Sequence, residues 1–450
     1  MDRVVIVGAG PVGLTAAILL ARRGVASLVL DRYAEPYPLP RAVHVDDEVV
    51  RILQAAGVAE EFLKVSRPGL GLRLLDARHR VMASFDRAPG GGPHGYPQAN
   101  MFDQPDLERL LRARAAADPL IELVGGATVF AVDFPTVSYR LGSEVCAVPA
   151  AAVLGCDGAN STVRDLIGAH LVDLRFAERW LVVDGVCAED LGAWGGVHQV
   201  CDPRRAATFM QLGPRRYRWE FRLLDGESDL DLDPLLAPWL GAVPVRIVRR
   251  AEYTFRANIA SSWRSGRVFL LGDAAHQTPP FIGQGLGAGL RDAYNLAWKL
   301  AADLTTPGGA PDLLDSYERE RAPHVRAQIR LAIVAGWAMT GGQDRAAAVR
   351  RLLLGSVWRL PGMKGLALRS TSPPLRGVGR GRRAGTLAPA VPDEALGDGW
   401  ALLYTGAPPA ADGHRLVHVT DELDPSGALR RWMRGRAVLL RPDRVVHSVR

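Results

Sequence analysis

Lysine is almost missing from this 450-residue chain. Its 55 basic residues are arginines apart from Lys64, Lys299 and Lys364, and with 48 acidic residues they leave a formal charge of +7. The arginines are scattered rather than striped, which reads as a solvated surface and not as a nucleic-acid face. Cysteine is scarce too. Cys146, Cys156, Cys187 and Cys201 form no Cys-x-x-Cys pair and no metal-ligand spacing, so no metal and no dithiol chemistry is expected, and a reduced, cytoplasmic protein is. No run reaches the ~18 apolar residues of a membrane span. The chain enters an apolar strand-like run at Val4, so neither a signal peptide nor a membrane partner is expected.

Glycine, by contrast, is plentiful, and its placement is informative. Val4-Val5-Ile6-Val7 leads into Gly8-Ala9-Gly10-Pro11-Val12-Gly13 and a helical stretch from Leu14 to Arg23. Strand, Gly-x-Gly-x-x-Gly and helix in that order put backbone N–H groups and the positive helix end against a pyrophosphate. Gly8 permits the tight turn, Gly10 lets the backbone approach the phosphates, and Gly13 lets helix and strand pack. A second strand, Ser27 to Leu30, ends in Asp31, where an acid takes ribose hydroxyls. NAD, NADP and FAD share this grip; Asp31 argues only against a phosphorylated ribose.

The length suggests two or three domains. After the βαβ opening come a helix, Asp46 to Gly57, short strands within 72–98 and a helix from Gln104 to Ala117. Strand-like runs Ile121 to Val124 and Val145 to Leu154 return the chain to the nucleotide sheet. Period-two alternation between 175 and 262, as in Tyr217-Arg218-Trp219-Glu220-Phe221, predicts an antiparallel sheet with one covered face. Helices follow Leu286. The Pro- and Arg-Gly-rich stretch Ser370 to Arg383 reads as a solvated linker, having no interleaved aromatics for RNA. Residues 384–450 carry further strand signals at Ala401 to Tyr404, Leu416 to Val419 and Ala437 to Leu440.

Two later blocks, Val153-Leu154-Gly155-Cys156-Asp157-Gly158-Ala159-Asn160-Ser161 and Gly272-Asp273-Ala274-Ala275-His276, resemble the "DG" and "GD" motifs of the class A flavoprotein monooxygenases. With Gly8 to Gly13 they complete that family's three-part signature across roughly three quarters of the chain. Pro40-Arg41-Ala42-Val43, Tyr96 to Phe102, Arg179 to Asp184 and Arg218 to Phe221 resemble 3-(3-hydroxyphenyl)propionate hydroxylases and related phenol hydroxylases. The resemblance implies an α/β fold: a Rossmann-like FAD-binding domain (1–174 and 263–370) interleaved with substrate-side strands near 72–98, an antiparallel substrate-binding sheet (175–262), and a shortened thioredoxin-like domain (384–450).

It also implies the cofactor site. Gly8, Gly10, Pro11, Val12, Gly13, Asp31, Arg32, Arg41, Gln104, Asp157, Gly158, Gly272, Asp273, Pro280, Gly283, Gly285, Leu286 and Gly287 are expected to hold FAD, with Gly287 standing where much of the family has Asn. The glycines from Gly283 precede a helix, whose positive end would stabilise the reduced, anionic flavin. His44, Asp184, Gln211 and Pro280 are pocket candidates, with Arg218 and Glu220 beside them. Alternation sends half of the strand residues to the wrong side. His276 fits a local hydrogen bond better than a base, and Asp46 and Asp47 fit a helix N-cap.

The activity implied is hydroxylation of a phenolic ring by O2 through a flavin C4a-hydroperoxide, with NADH or NADPH as transient reductant, by a single-component enzyme. A homodimer is left open. The rival readings are epoxidation or Baeyer–Villiger chemistry on a polyketide or other secondary metabolite and, from another class, a non-catalytic FAD-binding scaffold. A flavin halogenase is disfavoured, since no Trp-x-Trp-x-Ile-Pro segment exists.

Overall fold

A computed structural model describes residues 3–36, 42–202, 204–340, 372–410 and 413–450. The apolar run Val4–Val7 is fully enclosed and lies at the heart of a six-stranded sheet. It pairs in parallel with Ser27–Asp31 on one side and with Ala152–Gly155 on the other. Val268–Leu270 and Ile121–Gly125 extend the parallel array outward. Strands buried on both faces read as continuous apolar runs, which is why this sheet was visible in the sequence. The helix Pro11–Ala21 packs on it, Pro11 supplying a first-turn residue that needs no N–H partner.

The second large sheet has eight strands and is antiparallel except where Val197–Val200 meets Gly71–Leu75. Its spine is two long strands, Leu171–Cys187 and Val245–Ala260, joined by Arg216–Arg222 and Ala207–Gln211. One face carries an aromatic core, where Phe209 stacks on Tyr217 and packs on Trp219 and Trp239. The other face looks toward the nucleotide sheet. The strands Gly71–Leu75 and Val81–Asp86, inside the 72–98 segment, belong to this sheet and not to the nucleotide sheet. Helices Gly285–Thr305 and Pro311–Thr340 then back the assembly, their buried residues joining the main core.

Two expectations change. The run Val145 to Leu154 is two strands, Glu144–Pro149 and Ala152–Gly155. The first belongs to a three-stranded meander with Ala127–Asp133 and Thr136–Leu141, which the sequence did not reveal. The break falls where the Ala150 and Ala151 amides leave the ladder to bond the Pro135 and Arg3 carbonyls. The Arg-Gly stretch is no free linker over its described part, residues 372–383: Leu375 and Val378 are buried with Val445, and Arg380 N donates to the His447 carbonyl at 3.1 Å. Ser370 lies outside the described residues. The C-terminal residues form a four-stranded mixed sheet with Ala401–Tyr404 among its central strands. Among the described residues no helix is long and apolar enough to cross a membrane.

Candidate active site

Between the two large sheets lies a cavity of about 1320 Å³, above the ~300–1,000 Å³ of an ordinary small-molecule pocket. Gly8, Gly10, Pro11 and Val12 form one end of it. Gly8 has φ +106°, and a Cβ there would stand 2.4 Å from the Cys156 carbonyl oxygen, so the first and third parallel strands close on it. Gly10 is different: a Cβ there would meet no atom within 4 Å, because its backbone faces open cavity. Gly13 lines no part of the cavity; it holds helix to strand, its Cβ position being 2.0 Å from the Gly8 carbonyl oxygen.

Asp31 and Arg32 border the same end. The Asp31 carboxylate accepts from Ala9 N at 2.6 Å and Tyr33 N at 2.8 Å, so it also fixes the first turn. Asp157 braces the next turn, accepting from Ser161 Oγ at 2.5 Å and Val163 N at 3.0 Å. Burial nonetheless pushes its carboxyl up. Gln104 reaches the cavity and ties Ala42 N to Glu108 through its amide, at 2.8 Å on each side. Gly158, Gly272, Asp273, Pro280, Gly283, Gly285 and Leu286 also line the cavity. Arg41 lies outside the described residues.

Two helix N-termini open here. Neither Gly10 before Pro11–Ala21 nor Gln284 before Gly285–Thr305 supplies a side-chain cap, so first-turn N–H groups are available to an anionic group in the cavity. Two uncapped helix ends, an open glycine backbone and room beyond one small ligand fit a dinucleotide with a second molecule beside it.

Some expected residues stand elsewhere. Gln211 faces the aromatic core, where its Nε2 donates to Tyr217 Oη at 3.2 Å and to the Pro214 carbonyl at 3.1 Å; its neighbours Met210 and Thr208 face the cavity or border it. Asp184 is fully enclosed and reaches the cavity through Arg218, which it binds at 2.7 and 3.0 Å, and through Arg249 at 3.4 Å. Gly287 is covered by Arg291 and Val49 rather than open to the cavity. His276 lies outside the cavity lining and bonds Asp292 at 2.7 Å, and Asp46 caps its helix by accepting from Val49 N.

His44 does reach the cavity, half-buried, with Nδ1 3.4 Å from the Gly283 carbonyl oxygen. Burial, reinforced by Arg87, lowers its pKa to about 4, so the ring is neutral at ordinary pH. The sequence did not single out Arg249, Tyr253, Thr208 or Gln199, all of which line the roof. Alternation marked these strands but not which face of each would be covered.

The family model described as an FAD binding domain matches residues 1–332. A probable NADH-specific resorcinol 4-hydroxylase of Rhodococcus jostii is 38% identical, over 77% of this chain and 67% of that protein. A 3-(3-hydroxy-phenyl)propionate/3-hydroxycinnamic acid hydroxylase of a Mycobacterium species is 34% identical, over 98% and 87%. Of solved structures, the anhydrotetracycline hydroxylase OxyS from Streptomyces rimosus matches with a TM-score of 0.79 at 27% identity, covering 100% of this chain and 95% of that one. Aklavinone-11 hydroxylase, solved with FAD and aklavinone, shares the fold with a TM-score of 0.79 at 24% identity, covering 100% and 95%. A nucleotide cradle that runs into a roofed cavity is thus accounted for by descent: the chain belongs to the FAD-binding-domain family and is one of its FAD-dependent aromatic hydroxylases.

Proposed function

We propose that the aromatic ring hydroxylated here is that of a phenol, with NADH or NADPH as reductant and O2 as oxidant. When bound, FAD supplies the redox chemistry that passes electrons from the nicotinamide to oxygen and delivers one oxygen atom to the ring. The chain's own residues supply position and environment. Gly10 and Val12 offer backbone N–H groups to the pyrophosphate, Gly8 and Pro11 shape the turn that presents them, and Asp31 and Arg32 stand at the adenosine end. Asp157, Gly158, Gly272, Asp273 and Gln104 flank the ribityl stretch. The amides of Gly285 and Leu286, at a helix N-terminus that the Gly283 turn leads into, stabilise negative charge on the ring system. Pro280 and neutral His44 wall the reacting end.

One observation carries this reading: a single cavity joins the first glycine turn to a roof of Trp180, Val182, Met210, Thr208 and Glu220. Trp180, Val182 and Met210 give that roof an apolar stretch that keeps water from the reacting atoms. A phenolic hydroxyl is common to the substrates named for the two relatives above. The test is NADH and NADPH oxidation by the FAD-loaded protein with resorcinol, 3-(3-hydroxyphenyl)propionate and larger polycyclic phenols, followed by product mass. Stimulated oxidation with a gain of one oxygen supports the reading; stimulation by no phenol overturns it.

A further inference from the structure

Across the roof of the cavity one row of residues runs Ala251, Val182, Glu220, Thr208, Gln199, each paired with the next on adjacent strands. Glu220 is at its centre. It is 8% exposed, and what is exposed opens on the cavity. Its neighbours offer it no donor: Val182 has none, Thr208 Oγ1 donates to Gln199 Oε1 at 3.1 Å, and Gln199 Nε2 donates to the Ala207 carbonyl at 3.1 Å. The nearest cation is Arg218, whose Nη1 stands 3.9 Å away while Nε and Nη2 bind Asp184. Among the described residues nothing hydrogen-bonds this carboxyl. A buried carboxyl in that condition is destabilising unless a donor arrives from elsewhere, and the open side is the cavity.

Resting on the reading of the substrate as a phenol, we propose that Glu220 is a catalytic residue: it accepts the hydrogen bond of the substrate's phenolic O–H and then takes the proton. The substrate O–H bond breaks, an O–H bond forms on the Glu220 carboxyl, and the electron pair stays on the phenolic oxygen. That makes the ring carbons ortho and para to it better nucleophiles. After oxygen transfer the hydroxylated carbon loses its hydrogen to water, and Glu220 returns its proton to the phenolic oxygen. The ring is aromatic again and the carboxylate is restored.

Burial raises the Glu220 carboxyl above the ordinary carboxylate range, opposed by Arg218, helped by Asp184 and opposed by Arg249. Those are the charged groups facing it: Arg218 on its own strand, Asp184 on the strand of Val182 and Arg249 on the strand beyond that; Thr208 and Gln199 on the other side are neutral. A raised value brings its basicity toward that of a phenol. The acid limb of the hydroxylation rate should therefore follow Glu220 and not His44, which stays neutral down to about pH 4.

The experiment compares the FAD-loaded wild-type chain with Glu220→Gln and Glu220→Asp, using resorcinol for turnover and 4-nitrophenol, whose ionised form is coloured, for binding. Expected for Glu220→Gln is a loss of ~100-fold or more in kcat, loss of the acid limb, and no appearance of the ionised colour when 4-nitrophenol binds below its solution pKa. Its melting temperature should hold or rise, since a buried carboxylate with no hydrogen-bond donor has gone. Glu220→Asp should keep the limb at a lower rate and decides the matter if Glu220→Gln fails to hold FAD: a limb lost in Glu220→Asp, or unchanged kcat and limb in Glu220→Gln, overturns the proposal. A lowered melting temperature in Glu220→Gln with kcat unchanged would make Glu220 merely a counter-ion for the arginines. If the wild-type chain hydroxylates no phenol, the functional reading fails instead.

Discussion

Two glycines of the first turn do different things although the fingerprint writes them alike. At Gly8 a side chain would need φ +106° and would meet the Cys156 carbonyl oxygen at 2.4 Å, so Gly8→Ala should destabilise the protein by at least about 2 kcal/mol, visible in urea unfolding without added FAD. Gly10 has φ −73° and open space where a Cβ would go. Gly10→Ala should leave the apoprotein within about 0.5 kcal/mol of wild type and weaken FAD binding about tenfold or more, because the methyl occupies room the pyrophosphate needs; fluorescence titration with FAD measures it. Equal stability losses in the two variants would remove the distinction. Gly8 and Gly10 were legible because each needs a residue without a side chain. Gln211 was not: as a polar residue on an alternating strand it suits either face, and only the stacking of Phe209 on Tyr217 shows which face the aromatic core covers.

Among elements, the helix Gly285–Thr305 carries the site through Asp292. Its carboxylate accepts from His276 Nε2 at 2.7 Å, Arg321 Nε at 2.8 Å and Gly272 N at 3.1 Å, so one fully buried side chain fastens the Gly272-Asp273 turn to the helix. Burial works to raise its carboxyl, but Arg321 and His276 outweigh that and hold it below the usual range. A depressed native value means the stabilisation is complete above the unfolded pKa of ~3.9 and is lost as pH falls through the native one. Asp292→Asn leaves Arg321 buried without its anion and should cost about 3–5 kcal/mol at pH 7. The gap from wild type should stay constant above about pH 5 and close below about pH 4, checked by urea unfolding at several pH values; a gap constant to pH 3 would deny the ionised Asp292 this role. The parallel strands and this helix were legible because a doubly covered strand and a long amphipathic run have only one placement. The meander from Ala127 to Pro149 was not, because its fate depends on backbone partners such as Pro135 for Ala150, which lie outside any local pattern.

The whole molecule is joined across its C-terminal unit by buried ions rather than by a continuous apolar core. Arg441 binds Glu320 at 3.0 Å and Asp443 at 2.6 Å, and Asn295 donates to both Glu320 and Asp443. Lys299 joins at 2.8 Å from Glu320. Burial lowers the Lys299 ammonium to about 8 despite that partner, whereas Glu320, facing two cations that outweigh its burial, is lowered to about 2. Glu320 is thus the anchored member, and Arg441 is the arm reaching it from the C-terminal segment. Arg51 Nη1 adds a bond to the Ala388 carbonyl at 2.7 Å, and Trp298 meets Trp400 edge to face. None of this was legible as an interface, because arginines and acids scattered along a chain look like solvated surface until the fold brings them together. With its ties buried, the unit should unfold together with the rest: in wild type, far-ultraviolet circular dichroism and tryptophan fluorescence should give coincident denaturant transitions. Arg441→Met removes the arm while filling its space and leaves Asp443 without a cation, which should lower stability by about 3–5 kcal/mol. Because the glycine turns and Glu220 lie elsewhere, FAD affinity should change less than tenfold. An early separate transition in wild type would show that the C-terminal unit folds on its own and that the ion network only docks it.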